Sequence, residues 1–222
     1  MHKFIIPIHH FFSLNANEEK SIGMKKYMKN QFEYFGINMP ERRKFCKQYI
    51  KTNPLNTIQE VEEIVKELWK LPQREFQYTA IELLAFYKKI WTKKTIILIE
   101  YCIINKSWWD SIDFLANQVC NPYFKIFSEE IGKKTTKWNM SNNIWLQRSS
   151  ILFQLKYKKE TNTKLLTQYI ENLIDSKEFF IRKAIGWILR EYAKTNSKWV
   201  IQFVTTHPNL SNLSKKEAIK NI

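Results

Sequence analysis

Apolar residues along this chain recur at steps of three and four, not at alternate positions. Val61, Ile64, Val65 and Leu68 follow the i, i+3, i+4, i+7 rule of an amphipathic helix, and so do Ile185, Ile188, Leu189 and Tyr192. Ile81, Leu84 and Ala85 repeat part of it. No segment sustains a two-residue alternation, so the pattern predicts helix after helix and no sheet. Start and stop signals support this. Thr57-x-x-Glu60, Asp175-x-x-Glu178 and Ser214-x-x-Glu217 resemble capping boxes, Pro40 and Pro72 suit first helical turns, and Gly36 suits a helix end. The connections look short, as between antiparallel helix partners.

Three of these helices resemble one another: 74–88, 145–158 and 180–194, each with a late tyrosine at Tyr87, Tyr157 or Tyr192. The tyrosines lie 70 and 35 residues apart, so the period is 35 and the missing copy is the helix around 108–120. Repeats of this length stack helix pairs into a solenoid. The expected fold is therefore all-α, a curved solenoid of HEAT-like helix pairs with a concave basic face. No linker divides the chain, which reads as a single domain over 1–222, with a helical N-terminal cap over about 1–52 and repeats over about 55–222. The period aligns Arg43, Tyr78, Asp113, Arg148 and Lys183 in one column. It predicts a single carboxylate in a basic trough, flanked by Trp109 and Trp187.

Composition narrows the function classes. With 222 residues, 44% of them hydrophobic, a substantial core is expected and disorder is not. Only four glycines occur, which argues against Gly-rich phosphate loops. A net charge of +15 points to a polyanionic partner such as nucleic acid, although excess lysine also commonly forms a solvated face. Cys46, Cys102 and Cys120 are odd in number and far apart, as expected of reduced, mostly buried thiols in a cytosolic protein. His2, His9, His10 and His207 have no ligand spacing with cysteine, so no metal and no cofactor is expected. The apolar stretch 1–12 is interrupted by Pro7 and the histidine pair and lacks a small-residue cleavage site, which argues against a signal peptide. No stretch reaches the ~18 apolar residues of a membrane span.

The densest chemical signal is Ser107-Trp108-Trp109-Asp110-Ser111-Ile112-Asp113. Ser107 reads as an N-cap and Asp110 as a first-turn carboxylate at the positive end of the helix. Asp113 lies too deep to cap and shares a face with Trp109, four residues earlier. Adjacent tryptophans diverge on a helix, so Trp108 is expected to enter the core and Trp109 to stand beside the carboxylate. Asp113 can be an inter-repeat ion pair to Arg148, a functional carboxylate, or both. As a partner, Arg148 is expected to lower the Asp113 pKa and keep it ionised. Arg148 could alternatively clamp a phosphate. Lys183, Trp187, Arg190 and Lys194 share a helix face, a basic stripe interrupted by an aromatic, as contact with phosphate and sugar requires. Gly186 within it suggests a close approach by another element. Arg43, Tyr78, Tyr27 and Lys156 are further candidate nucleic-acid contacts, and Arg42 adds a basic group nearby.

At these residues the chain resembles the bacterial DNA alkylation repair protein family, the glycosylases built from HEAT-like repeats. The matching segments are SWWDSID (107–113), NIWLQRSSILFQLKYK (143–158) and SKEFFIRKAIGWILREYAKTN (176–196), with YMKNQFEYFGI (27–37), PERR (40–43), ELWKLPQREFQ (67–77) and LSKKEAIK (213–220). The resemblance covers essentially the whole chain. It implies a monofunctional DNA glycosylase of base excision repair that removes cationic alkylpurines, chiefly 3-methyladenine and 7-methylguanine, without a base-flipping pocket. It further implies Asp113 as catalytic carboxylate, Trp109 and Trp187 against the lesion nucleotide's backbone, and Arg148 as the cation beside Asp113. The partner would be double-stranded DNA containing alkylated bases, and the protein a cytoplasmic monomer. Two other readings compete: a non-catalytic alkylated-DNA-binding HEAT-like protein, and a HEAT-like protein scaffold.

Overall fold

A computed structural model describes residues 1–220. They form helices joined by turns and loops. No strand occurs among them, and the one isolated bridge joins Glu33 to Gln73. The chain forms two compact units, 1–98 and 99–222.

The first unit holds α1 (Ile6–Leu14), α2 (Glu18–Tyr27), α3 (Met39–Thr52), α4 (Ile58–Lys70) and α5 (Arg74–Phe86). α4 begins at the expected capping box, in which Thr57 accepts from the Glu60 N–H and Glu60 accepts from the Thr57 N–H. Its stripe of Val61, Ile64, Val65 and Leu68 is fully buried, and the helix packs along α5. The apolar start of the chain joins this core through Ile8 and Phe12 of α1. Pro40 sits in the first turn of α3, as expected. Pro72 does not start a helix, because the N-cap of α5 is Gln73. Gly36 does not end one either: α2 closes at Tyr27 with Lys29 and Asn30 at positive φ. Gly36 instead turns the chain at φ 84, where an added Cβ would lie 2.1 Å from the Asn17 carbonyl oxygen. The buried Glu75 carboxylate fixes this turn by accepting from the backbone N–H groups of Phe35, Gly36 and Ile37. Burial still holds the Glu75 pKa above the usual value, against those bonds.

The division between the units falls within α6 (Thr95–Ile104). The second unit continues with α7 (Trp109–Leu115), α8 (Asn121–Ile126), α9 (Ile131–Asn139), α10 (Ile144–Leu152), α11 (Thr163–Asn172), α12 (Phe179–Thr206) and α13 (Asn212–Ala218). α12 is broken at Asn196, whose backbone is extended and whose side chain caps the following segment by accepting from the Trp199 N–H. Ile151, Leu166, Ile170, Ile185, Leu189 and Val200 form the heart of its core. The 35-residue period is visible as side chains bonded to the next copy. Tyr157 Oη donates to the Asn121 carbonyl at 36 residues' separation, Lys125 pairs with Glu160 at 35, and Thr135 bonds Tyr169 at 34. All three cysteines are buried, and burial pushes the Cys46 thiol up to about 11. No helix of the described residues is long and apolar enough to cross a membrane.

Candidate nucleic-acid interface

The site lies wholly within the second unit. The chain enters α7 through Trp108, which is extended and lies at the N-cap position. Its indole packs against Trp145 and Phe180, at ring distances of 5.8 and 5.2 Å. Both tryptophans are half-buried, so Trp108 joins an aromatic cluster and does not enter the fully buried core as expected, while Trp109 lines the cleft beside Asp113. Ser107 is not the cap expected of it: its hydroxyl donates to the Ile103 carbonyl and so finishes α6. Asp110 does occupy the first turn of α7. One turn after Asp113 the helix widens into a π-turn over Ala116–Cys120, and the Asn117 amide donates to the Asp113 carbonyl. Such widenings frequently accompany functional residues.

Asp113 and Arg148 meet across the repeat. Arg148 Nε donates to Asp113 Oδ1 at 2.8 Å and a terminal guanidinium nitrogen donates to Oδ2 at 2.9 Å. The other terminal nitrogen donates to the Phe180 carbonyl. Arg148 is therefore fully engaged and its fork is not presented to a phosphate. The Arg148 side chain is 5% exposed and the Asp113 side chain 18%, so the carboxylate is the member nearer solvent. The pKa expectation is overturned in its net direction. Burial pushes the Asp113 carboxyl above the usual aspartate value. Arg148 pulls it down by charge and hydrogen bonding, and the Asp110 charge adds a small upward push.

Around this pair opens a cleft of about 250 Å3, lined by Trp109, Asp113, Arg148, Phe179, Phe180, Lys183, Trp187, Arg190 and Glu217. Five of these come from the first half of α12, which presents Lys183, Trp187 and Arg190 on one face as the sequence predicts. Lys194, on the same stripe, is not part of the cleft. It pairs with Glu191 at 2.6 Å and lines a separate cavity with Lys158 and Tyr192. Lys156 is exposed in the turn after α10 and does not line the cleft.

The expected single carboxylate is a pair. Glu217 of α13 was missed because Ser214-x-x-Glu217 reads as a capping box. The actual cap of α13 is Ser211, and Ser214 donates to the Arg182 carbonyl on α12. Glu217 is thereby turned into the cleft, where it pairs with Lys183 at 2.8 Å and with Arg190. Gly186 is the signal that could have found it. An added Cβ there would lie 2.5 Å from Glu217 Cβ and 3.0 Å from the Ser214 carbonyl oxygen, so the predicted close approach is that of α13. Asp175 and Glu178 form no capping box, since Glu178 is the N-cap of α12 and bonds Ser176 through its N–H.

The remaining predicted residues belong to the first unit. Tyr27 is exposed at the end of α2. Arg43 is exposed and donates from Nε to Glu82 at 2.7 Å. Arg42, expected as a surface cation, is buried and grips the same Glu82 carboxylate bidentately at 2.6 and 2.9 Å. The Tyr78 ring is approached by the guanidinium groups of Arg42 and Arg74, 5.4 and 5.9 Å from its centre.

The model of the DNA alkylation repair enzyme family matches residues 8–222, cleft included. The chain belongs to the DNA alkylation repair enzyme family. Among solved structures it is similar to a predicted DNA alkylation repair enzyme from Enterococcus faecalis, at 30% identity and a TM-score of 0.88, covering 93% of this chain and 96% of that one. No curated protein matches the chain. In this DNA alkylation repair protein Asp113, Arg148, Trp109 and Trp187 converge on a single cleft.

Proposed function

We propose that the protein is a DNA glycosylase that hydrolyses the N-glycosidic bond of cationic alkylpurines such as 3-methyladenine and 7-methylguanine. The observation that carries this reading is the Asp113 carboxylate, held by both of its oxygens to Arg148 at the edge of an open cleft walled by Trp109 and Trp187. A purine alkylated at N3 or N7 already carries positive charge and departs as a neutral base, so the enzyme need not protonate it. Its departure leaves oxocarbenium character on the sugar, and water completes the reaction at the anomeric carbon. A fixed carboxylate in a poorly solvated position stabilises that cation. The same carboxylate can orient the water and take its proton. The flat faces of Trp109 and Trp187 suit the sugar and its developing charge. Lys183 and Arg190, on the open side of the cleft, suit the flanking phosphates. An open cleft matches contact with a lesion left in place better than enclosure of a flipped base.

The reading is tested by incubating the protein with duplex DNA containing 7-methylguanine and measuring free base and abasic sites. Asp113→Asn should lower release about 100-fold or more, the scale seen when one charge-stabilising group is removed. DNA binding should be largely retained. A protein that binds alkylated DNA tightly but releases nothing would be a lesion-binding module, for which Asp113 serves only as the ion-pair partner of Arg148.

A further inference from the structure

We infer that Glu217 is a positioning residue of this cleft: it holds Lys183 and Arg190 as one aimed pair about Trp187 and offsets one of their two charges until a DNA phosphate arrives. This rests on the reading of the cleft as a DNA-binding surface.

Glu217 is delivered to its place by two separate features. Gly186 has no side chain where the Glu217 stem passes, and any Cβ there would clash at 2.5 Å. The Ser214 hydroxyl ties α13 to the Arg182 carbonyl, one residue before Lys183. The carboxylate itself is nearly enclosed, with 12% of the side chain exposed, whereas Lys183 and Arg190 retain 36% and 23%. The anion is thus the deep member and the cations are the outward ones. A plain helix-to-helix contact would be served as well by apolar side chains, since burying a carboxylate carries a desolvation cost. Here the buried anion brings together two cations two turns apart on α12, with Trp187 between them in the chain, all lining one cleft. With Asp113 and Arg148, the lining holds three cations and two carboxylates. Its local charge is therefore modest, and what the cations offer is direction. A preorganised pair can receive a phosphate without reordering two long side chains, and small misplacements at such positions carry large rate penalties.

The test separates charge from position. Glu217→Gln keeps the shape and removes the charge, while Glu217→Asp keeps the charge and shortens the arm. Both, and wild type, are measured for affinity to undamaged duplex across a salt series, for single-turnover release of 7-methylguanine at saturating protein, and for thermal midpoint. Glu217→Gln should steepen the salt dependence by roughly one counterion's worth and slow release about 10-fold or more. Glu217→Asp should keep the wild-type salt slope yet also slow release. Wild-type salt slopes and release rates in both variants, with only a lowered thermal midpoint, would reduce Glu217 to helix packing and overturn the inference. Should wild type bind DNA without releasing base, the glycosylase reading fails while the salt slope of Glu217→Gln still decides the role of Glu217. Should wild type not bind DNA, both fail.

Discussion

Burial and Arg148 pull the Asp113 carboxyl in opposite directions, and burial wins. The raised value has consequences for both stability and activity. A carboxyl that binds its proton more tightly when folded contributes stability that is fully present below the unfolded aspartate's pKa. That contribution is lost as pH rises through the folded value, so the ionised state is the costlier one. On the proposed mechanism, activity has the opposite dependence, because only the ionised carboxylate would stabilise a sugar cation. The acid limb of the single-turnover release rate should therefore lie above the range of an exposed aspartate, about 3.9. A rate profile with its limb at or below that value would show that Arg148 dominates instead. At this scale the pair itself was legible, because a 35-residue step on a helical repeat brings equivalent positions together. The net pKa direction was not legible, since the sequence displays the partner charge but not the depth of burial.

Gly186 connects α12 to α13, and its replacement tests whether that contact matters. Alanine in a helix interior is favoured over glycine by about 1 kcal/mol. Here its Cβ would meet the Glu217 stem and the Ser214 backbone, neither of them the far end of a flexible chain. Overpacking of that kind costs about 1–3 kcal/mol. Gly186→Ala should therefore lower the thermal midpoint despite the propensity gain, and should slow base release by displacing Glu217. An unchanged or raised midpoint would show that α13 yields freely. Elements with long, regular apolar stripes, α4 above all, were readable from the sequence because burial of one face dictates their pattern. Short elements were not. The seven residues of α13 carry no stripe, and their start lies at Ser211, not Ser214. Ser107 failed as a cap for a related reason: one hydroxyl can serve the end of one helix or the start of the next, and only the packing of Trp108 decides which.

For the whole molecule, the all-α repeat was legible because helices bonded to their neighbours about 35 residues on must repeat their sequence signals. The net charge of +15 gives the chain its electrostatic partner preference, while the cleft's own charges are largely compensated internally. On the proposed reading, attraction to DNA falls to the general surface and chemistry to the cleft. If the surface engages six or more phosphates, affinity for duplex DNA should fall about a thousandfold between roughly 50 and 200 mM salt. A protein scaffold would show little such dependence, and a flat salt series would contradict a DNA partner. The central claim, that Asp113 drives release of cationic alkylpurines, is tested most directly by single-turnover release of 7-methylguanine from duplex DNA by wild type and Asp113→Asn, each at saturating protein. The account predicts free base and abasic sites from wild type and about a 100-fold slower rate, with DNA still bound, from the variant. No release from wild type, or undiminished release from Asp113→Asn, would contradict it.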